Sequence, residues 1–489
     1  MDCHLYRSPQ IEKTTPCDQN WSPALKLLVL LQVSWLAFLG PMAAAVINPA
    51  FVPLSNEFGI TVVEASYELT VYIVSAGVGP LLTVPLANAY GRRPVYILGG
   101  LVAAATNIGA GRCSLWAGLM ATRVFNGVGA GSPVAIGAAT ICDMYFLHER
   151  GFYMGIFSFF LVNGPHVASL LGGFIAQNLG WRWSFLIPVS LVCLPVIEKI
   201  STDTPQKGYI QMATVVVTIF CLPETIYSRR SAPGRRERSF VDLLLFRHQG
   251  LRSAKIRPRD FARPLDMLKY LAVLIPGLYY MTAFGFGSVL FAATGASLFR
   301  ELYGFGVAQT GLMLSVPLLA GCLLGEMSAG WLTDRMVYRY ARAHGGRREP
   351  EARLDAVLLA VLCPVGIVVE GVCLSRAGTV SWVGAAVGMG IANYGVQIAN
   401  TVTYTYCTDC YKPQSSEISC LLNLMRSLFS MTISFYAIPL GKAIGYQYAW
   451  LTFALVNVAL LVPVMLLRFY GTHWSSAAWQ QAPAFHSDL

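Results

Sequence analysis

Charge is what this sequence has least of. Only 12% of its 489 residues are Asp, Glu, Lys or Arg and 55% are hydrophobic, whereas soluble domains carry about 25% charged residues. So few charges cannot cover the water-facing surface of a chain this long. The apolar residues fall in blocks of about 20–28, long enough to cross a hydrocarbon core of roughly 30 Å. We therefore expect an all-α membrane protein whose main solvent is the lipid bilayer.

Other absences exclude further classes. The sequence has no G-x-x-x-x-G-K-[ST] motif, so the chain is not itself an ATP-driven pump. Its seven histidines are scattered, and Cys407 and Cys410 form a lone C-x-x-C pair. We therefore expect no metal, no cofactor and no catalytic residues, and a membrane-embedded enzyme is a remote alternative. The net charge of +10 lies in short segments between apolar blocks, a pattern that orients membrane proteins and does not indicate nucleic-acid binding.

The apolar blocks predict twelve membrane spans in two halves. Lys and Arg concentrate in alternate loops, above all between Arg229 and Lys269 and between Arg335 and Arg353. The positive-inside rule places these loops, and with them both termini, in the cytosol. We predict a cytosolic tail (1–24), a six-helix half (25–228), a basic cytosolic linker (229–265), a second six-helix half (266–471) and a cytosolic tail (472–489). The predicted spans are 25–50, 66–89, 94–112, 116–142, 152–178, 183–222, 268–295, 307–332, 354–375, 379–406, 416–440 and 447–470.

The sixth span is interrupted. Two apolar pieces, each too short to cross, flank a polar stretch that begins at Glu198 and ends at Lys207. Removing about 15–18 residues within 194–211 would join the pieces into one span of ordinary length. We interpret 194–211 as an insert outside the working helix, such as a retained intron. A genuine re-entrant segment is the alternative.

A loop pattern recurs at the equivalent place in both halves. Pro85–Pro94 (PLANAYGRRP) follows the second span and Gly330–Arg335 (GWLTDR) follows the eighth. Each has a glycine and basic residues at the membrane interface, and their matching positions indicate an internal repeat. The residues that we expect to shape these loops are Asn88, Gly91, Arg92, Arg93, Asp334 and Arg335.

The first loop resembles the signature of the major facilitator superfamily, G-x-L-a-D-r-x-G-R-R. It departs from that signature at Pro85, which replaces a glycine, and at Asn88, which replaces an acid. In the family, that acid helps to latch the two halves together through charge pairs. The resemblance implies the major facilitator fold, with twelve transmembrane helices in two six-helix halves that alternate access to the substrate.

Arg123 and the glycines that follow it, Gly127 among them, resemble the family motif whose arginine is linked to proton coupling. An arginine at the centre of a span costs about 2.5–3.5 kcal/mol on insertion scales, so it usually faces the protein interior. Snorkelling to the membrane surface is the alternative for Arg123. The glycines are also suited to close helix packing.

The fifth span contains Asn163, Gly164 and Pro165, then Gly172 and Gly173. These residues resemble the G-P-x-x-x-G-G motif of the family's antiporters, with extra spacing between the parts. Gly164 and Gly172 are eight residues apart and share a helix face, and the proline frees a backbone carbonyl. The combination is typical of a pliable helix suited to a rocking motion, with a static kink as the alternative.

Segments 143–151 (DMYFLHERG), 180–183 (GWRW) and 222–225 (LPET) resemble fungal twelve-span drug:proton antiporters, in the branch related to the yeast histidinol and polyamine transporter. The resemblance implies secondary active transport of a small organic molecule, with efflux of a fungal secondary metabolite, toxin or drug coupled to protons as the leading hypothesis. The alternative is uptake of polyamine-like or other cationic nutrients. The scarcity of acids in the first half favours neutral or weakly polar cargo. We expect a monomer in the plasma membrane.

Polar side chains within the spans are the candidates for binding substrate or protons. Glu326 suits reversible protonation, and a permanent pair with Arg426 is its alternative. The first span has no acid between Lys26 and Glu57, which weakens the prediction of proton antiport. The amides of the tenth span lie on one helix face, where hydrogen bonding between helices is the alternative to ligand contact. The candidates are Asn163, His166, Glu326, Asn393, Gln397, Asn400 and Arg426.

Overall fold

The computed structural model describes residues 22–145, 150–186, 218, 222, 257–343, 350–411 and 414–475. Nearly all of them are helical. The first half contains α1 (Pro23–Ala45), α2 (Phe51–Phe58), α3 (Val62–Tyr90), α4 (Arg92–Arg112), α5 (Trp116–Met144), α6 (Arg150–Leu179) and α7 (Trp181–Leu186). A 3₁₀ turn at Asn48–Ala50 joins α1 to α2. The predicted insert at 194–211 lies outside the described residues.

The second half begins with a short helix, α8 (Pro258–Asp266), followed by α9 (Leu271–Phe284), α10 (Leu290–Tyr303), α11 (Val307–Ala343), α12 (Leu362–Ser375), α13 (Trp382–Cys410), α14 (Ser415–Ile444) and α15 (Tyr446–Ser475). A π-helical turn at Gly285–Val289 joins α9 and α10 into one long segment. A 3₁₀ helix at Pro350–Val361 leads into α12. The first predicted linker residue within the described part is Arg257.

The predicted all-helical membrane fold is confirmed. Within the described ranges, ten helical segments are long and apolar enough to cross a membrane. An eleventh, α13, has a spanning length of 29 residues at the predicted place of the tenth span, but its amides and threonines make it more polar. The predicted sixth span lies largely outside the described residues.

Helix α3 shows how the local sequence determines where a span begins and ends. The Thr61 hydroxyl accepts a hydrogen bond from the Glu64 backbone N–H at 3.1 Å, and the Glu64 carboxylate accepts one from the Thr61 N–H at 2.7 Å. This capping box begins the helix four residues before the predicted start of the span. The helix ends at Gly91, whose φ of 106° suits glycine because it has no Cβ.

The two halves meet through two antiparallel helix pairs, α3 with α14 and α6 with α11. In the first pair the Thr70 hydroxyl donates to the Ser434 hydroxyl at 2.9 Å. In the second, a Cβ built on Gly173 would lie 3.0 Å from the Gly311 Cα. Each half contributes its second and fifth spans, so the interface has the symmetry expected of an internal repeat.

Ion pairs at the helix ends mark the two faces of the bundle. We call the basic face the one at which α3 ends and α14 begins, where α8 packs against both helices. Arg353 pairs there with Asp409 at 2.9 Å. At the opposite face, Lys442 pairs with Glu301 at 3.2 Å.

Candidate substrate and proton site

Arg123 lies inside the first half and does not snorkel. Its side chain is fully buried and its Nε lies 3.3 Å from Oε1 of Glu68, which is also fully buried. Nη2 donates to the Asn107 side chain at 2.9 Å, and the guanidinium lies 4.3 Å from the centre of the Phe185 ring. The arginine is therefore held from several sides, and a carboxylate of the neighbouring helix α3 balances its charge.

Glu68 is the functional candidate that the sequence analysis missed. Neither of its carboxylate oxygens has a hydrogen-bond partner among the described residues. The contact with Arg123 therefore depends on charge and proximity more than on an aligned hydrogen bond. The sequence did contain a signal that Glu68 lies within the span, namely the capping box at Thr61. This box starts the helix at Val62 and therefore places Glu68 about two turns inside it.

A second group of polar side chains lies where α6 of the first half meets α11 and α13 of the second. Asn393 Nδ2 contacts His166 Nε2 at 3.2 Å and donates to the Leu318 carbonyl at 2.6 Å. Further along α13, Gln397 and Thr401 donate to the Glu326 carboxylate. We call His166, Asn393, Gln397, Glu326 and Thr401 the central polar network. It brings together four of the predicted candidates from both halves.

The partners of Glu326 are Gln397 and Thr401, so the pairing with Arg426 considered above is not the arrangement in this structure. A Gln amide can donate to a carboxylate or accept from a carboxylic acid, and a hydroxyl can do the same. Glu326 can therefore form hydrogen bonds with Gln397 and Thr401 both as a carboxylate and as a carboxylic acid. The side chain is half-buried, and a Cβ built on Gly155 of α6 would lie 3.8 Å from its Oε1, so Glu326 faces the other half.

The remaining polar candidates lie outside this network. Asn163 is buried and donates to the Phe159 carbonyl of its own helix at 2.7 Å. Asn400 is buried on the same side of α13 as the other two amides. Arg426 Nε donates to the Asn423 side chain at 2.9 Å. Glu370 of α12 accepts a hydrogen bond from the Trp450 indole within the second half at 2.8 Å.

The motif glycines lie at close helix contacts. A Cβ on Gly164 would lie 2.5 Å from the Phe38 carbonyl oxygen, and one on Gly172 would overlap the Val46 carbonyl, so both glycines pack against α1. Pro165 lies within α6. A Cβ on Gly127 would lie 2.7 Å from the Tyr72 carbonyl oxygen. At these contacts the helix backbones approach more closely than any larger residue permits.

The two signature loops differ in the burial of their arginine side chains. Asn88 is exposed, whereas Arg92 and Arg93 are buried beside it at the basic face. In the second loop Arg335 is exposed, with its guanidinium 4.9 Å from the centre of the Trp331 ring. Asp334 lies within α11.

A two-half helical bundle with buried polar groups at the interface between its halves defines a membrane transporter of small molecules. The family model of the Major Facilitator Superfamily matches residues 33–434. The chain belongs to that superfamily. The prediction from the loop motifs is thereby confirmed.

Curated relatives from fungi are similar over most of the chain. Efflux pump radE of Floropilus chiversii is 26% identical and covers 93% of this chain and 81% of its own length. MFS transporter fsa7 of a Fusarium species is 28% identical and covers 87% of this chain and 80% of its own length. Among solved structures, the human organic anion transporter MFSD10 has a TM-score of 0.63 at 15% identity, covering 91% of this chain and all of the other. At 15% identity this similarity shows the fold alone.

Proposed function

We propose that this transporter exports a small organic molecule, such as a fungal secondary metabolite, toxin or drug, by alternating access. The central polar network carries the proposal, because its contact between His166 and Asn393 joins the two halves near the middle of their helices. Groups placed there can be opened to one side of the membrane and then to the other. The similarity to Efflux pump radE supports the outward direction. The basic face then lies in the cytosol with both termini, and the protein acts as a plasma-membrane monomer.

We further propose that protons drive the export and that Glu326 carries them. The carboxylate is half-buried, faces the first half and has partners that accept either protonation state. Titratable groups around Glu326 include the Cys322 thiol, one turn away on the same helix, and the Tyr394 phenol of α13, which accepts from Ser328; His166 of α6 contacts Asn393 one turn along α13 from Gln397. The Cys322 thiol donates to Gln397, the amide that also contacts Glu326. Rocking of the halves changes the distance between α6 and α11, and thereby the access of water to Glu326.

The test compares a strain lacking the gene with its parent. Export predicts that at least one small molecule is depleted from the medium and accumulates in cells of the disrupted strain. Reintroduction of the wild-type gene should restore its release, and Glu326→Gln should not. The molecule found this way should then move into wild-type proteoliposomes under an imposed pH gradient, and Glu326→Gln should abolish this movement. Depletion of the molecule from the cells instead of accumulation would indicate uptake.

A further inference from the structure

Arg426 lies inside the bundle, on the side of α14 that faces away from lipid. Leu428 and Phe435 of the same helix are 42% and 52% exposed and mark its outer side. Arg426 precedes Leu428 by two residues, which places it about 200° around the helix. Its side chain is nevertheless only half-buried. The exposed part therefore faces space within the protein.

The contacts of Arg426 are polar or aromatic and include no carboxylate among the described residues. Nε donates to Asn423, and the guanidinium lies 4.5 Å from the centre of the Phe284 ring. Tyr280 also lies beside the guanidinium. Asn423 in turn donates to the Ala76 carbonyl of α3 at 3.2 Å, so this place adjoins the interface between the halves.

Other cations of the described helices do have acidic partners. The buried example is Arg123 with Glu68, and pairs at the helix ends join Arg182, Arg353, Lys442 and Arg468 to an acid. An arginine within a span is costly without a compensating anion. Arg426 is therefore a cation within the span whose charge no acid of the described residues balances, which leaves that role to a ligand.

We propose that Arg426 binds an anionic group of the transported molecule, and that the cargo is an aromatic carboxylate. This inference rests on the proposed transport function and names its substrate class. A guanidinium presents a planar set of donors that matches a carboxylate with two parallel hydrogen bonds. Only Nε is taken up by Asn423, which leaves the terminal nitrogens for the ligand.

Aromatic side chains cluster beside Arg426. Tyr280 and Tyr404 meet edge to face with their centroids 5.6 Å apart, and Phe284 lies 6.1 Å from Tyr280. Phe284 and Tyr404 are half-buried, so a ring of the ligand can pack against them edge to face or offset. The sequence alone favoured neutral cargo because the first half has few acids; the unbalanced guanidinium in the second half favours an anion.

The experiment measures thermal stabilisation of the purified full-length protein in detergent. The probes are 2-naphthoate and cinnamate, each compared with its uncharged amide, 2-naphthamide and cinnamamide. The carboxylates should raise the melting temperature and the amides should not. Arg426→Gln should weaken carboxylate binding about ten- to hundredfold. Arg426→Lys should keep part of the binding, because it retains the charge and loses the planar fork.

Arg376→Gln is the matched control, because it removes one exposed positive charge at a helix end, and it should bind the carboxylates as the wild type does. Equal stabilisation by acids and amides would overturn the inference, as would a carboxylate preference that survives Arg426→Gln or a wild type that binds neither carboxylate. These outcomes leave export of neutral molecules intact, because export is measured separately in the disrupted strain. If Arg426→Gln does not fold, the inference is still tested by comparing carboxylates with amides in the wild type and by carboxylate binding to Arg426→Lys.

Discussion

Removing the two charges of the buried pair Glu68 and Arg123 together should destabilise the protein less than the sum of the two single removals. Both side chains are fully buried and their closest atoms are 3.3 Å apart. Removal of one partner from such a pair costs about 3–5 kcal/mol, because a charge is left in a low-dielectric interior. Arg123→Met removes the cation beside Glu68, whose carboxylate oxygens have no hydrogen-bond partner among the described residues. Glu68→Gln should cost less within that range, because Asn107 and Phe185 still contact the guanidinium.

The assay is a double-mutant cycle on SDS-induced unfolding in mixed micelles. The double variant Glu68→Gln with Arg123→Met should be more stable than the sum of the single effects predicts, by about 2–3 kcal/mol. The same cycle on Glu57 and Arg182 is the control. Those side chains are 41% and 39% exposed, so their coupling should be about 0–1 kcal/mol. Additive single effects at Glu68 and Arg123 would refute the reasoning, as would a coupling no larger than in the control pair.

Two further predictions concern packing and coupling. Gly131→Ala should destabilise by about 1–3 kcal/mol, because the new Cβ would lie 2.6 Å from the Ala76 carbonyl oxygen. Gly330→Ala, with no described atom within 4 Å of its Cβ, should be neutral or stabilising by up to about 1 kcal/mol in the same unfolding assay. Glu370→Gln should leave pH-driven transport in proteoliposomes coupled, since Glu370 is buried within the second half. Loss of coupling in this variant as well as in Glu326→Gln would show that neither carboxylate is specifically the proton carrier.

The fold could be predicted because length and hydropathy decide what crosses a membrane. The ends of the spans were harder to predict, because they depend on local capping motifs such as the one at Thr61. Helix α13 is more polar than the ten other spans of the described ranges. Its place was nevertheless predicted, because the apolar residues between its amides still form a block of spanning length.

The partners of the polar side chains could not be predicted. Arg123 was recognisable from its motif, but its acid lies on another helix, and no periodicity shows which helices meet. For the same reason Arg426 was a reasonable partner for Glu326 in the sequence. In the structure, α13 packs against α11 along this stretch and supplies Gln397 and Thr401 instead. The spacing of the amides, three and four residues apart, predicted that they share one helix face. Their hydrogen-bond partners could be identified only from the folded structure, because those partners belong to other helices.

The central claim is that the two halves must move apart for transport to occur. The hydroxyls of Thr70 and Ser434 lie 2.9 Å apart across the interface, so Thr70→Cys with Ser434→Cys brings two thiols together. Thr106→Cys with Asn126→Cys is the control, because those side chains are 3.0 Å apart within the first half.

The most direct measurement is transport by these two variants in proteoliposomes, before and after oxidation, using the molecule that the disrupted strain retains. We predict that oxidation stops transport in the Thr70–Ser434 variant, that a reducing agent restores it, and that the Thr106–Asn126 variant is unaffected. Transport at the unoxidised rate with the Thr70–Ser434 link fully formed would contradict the account.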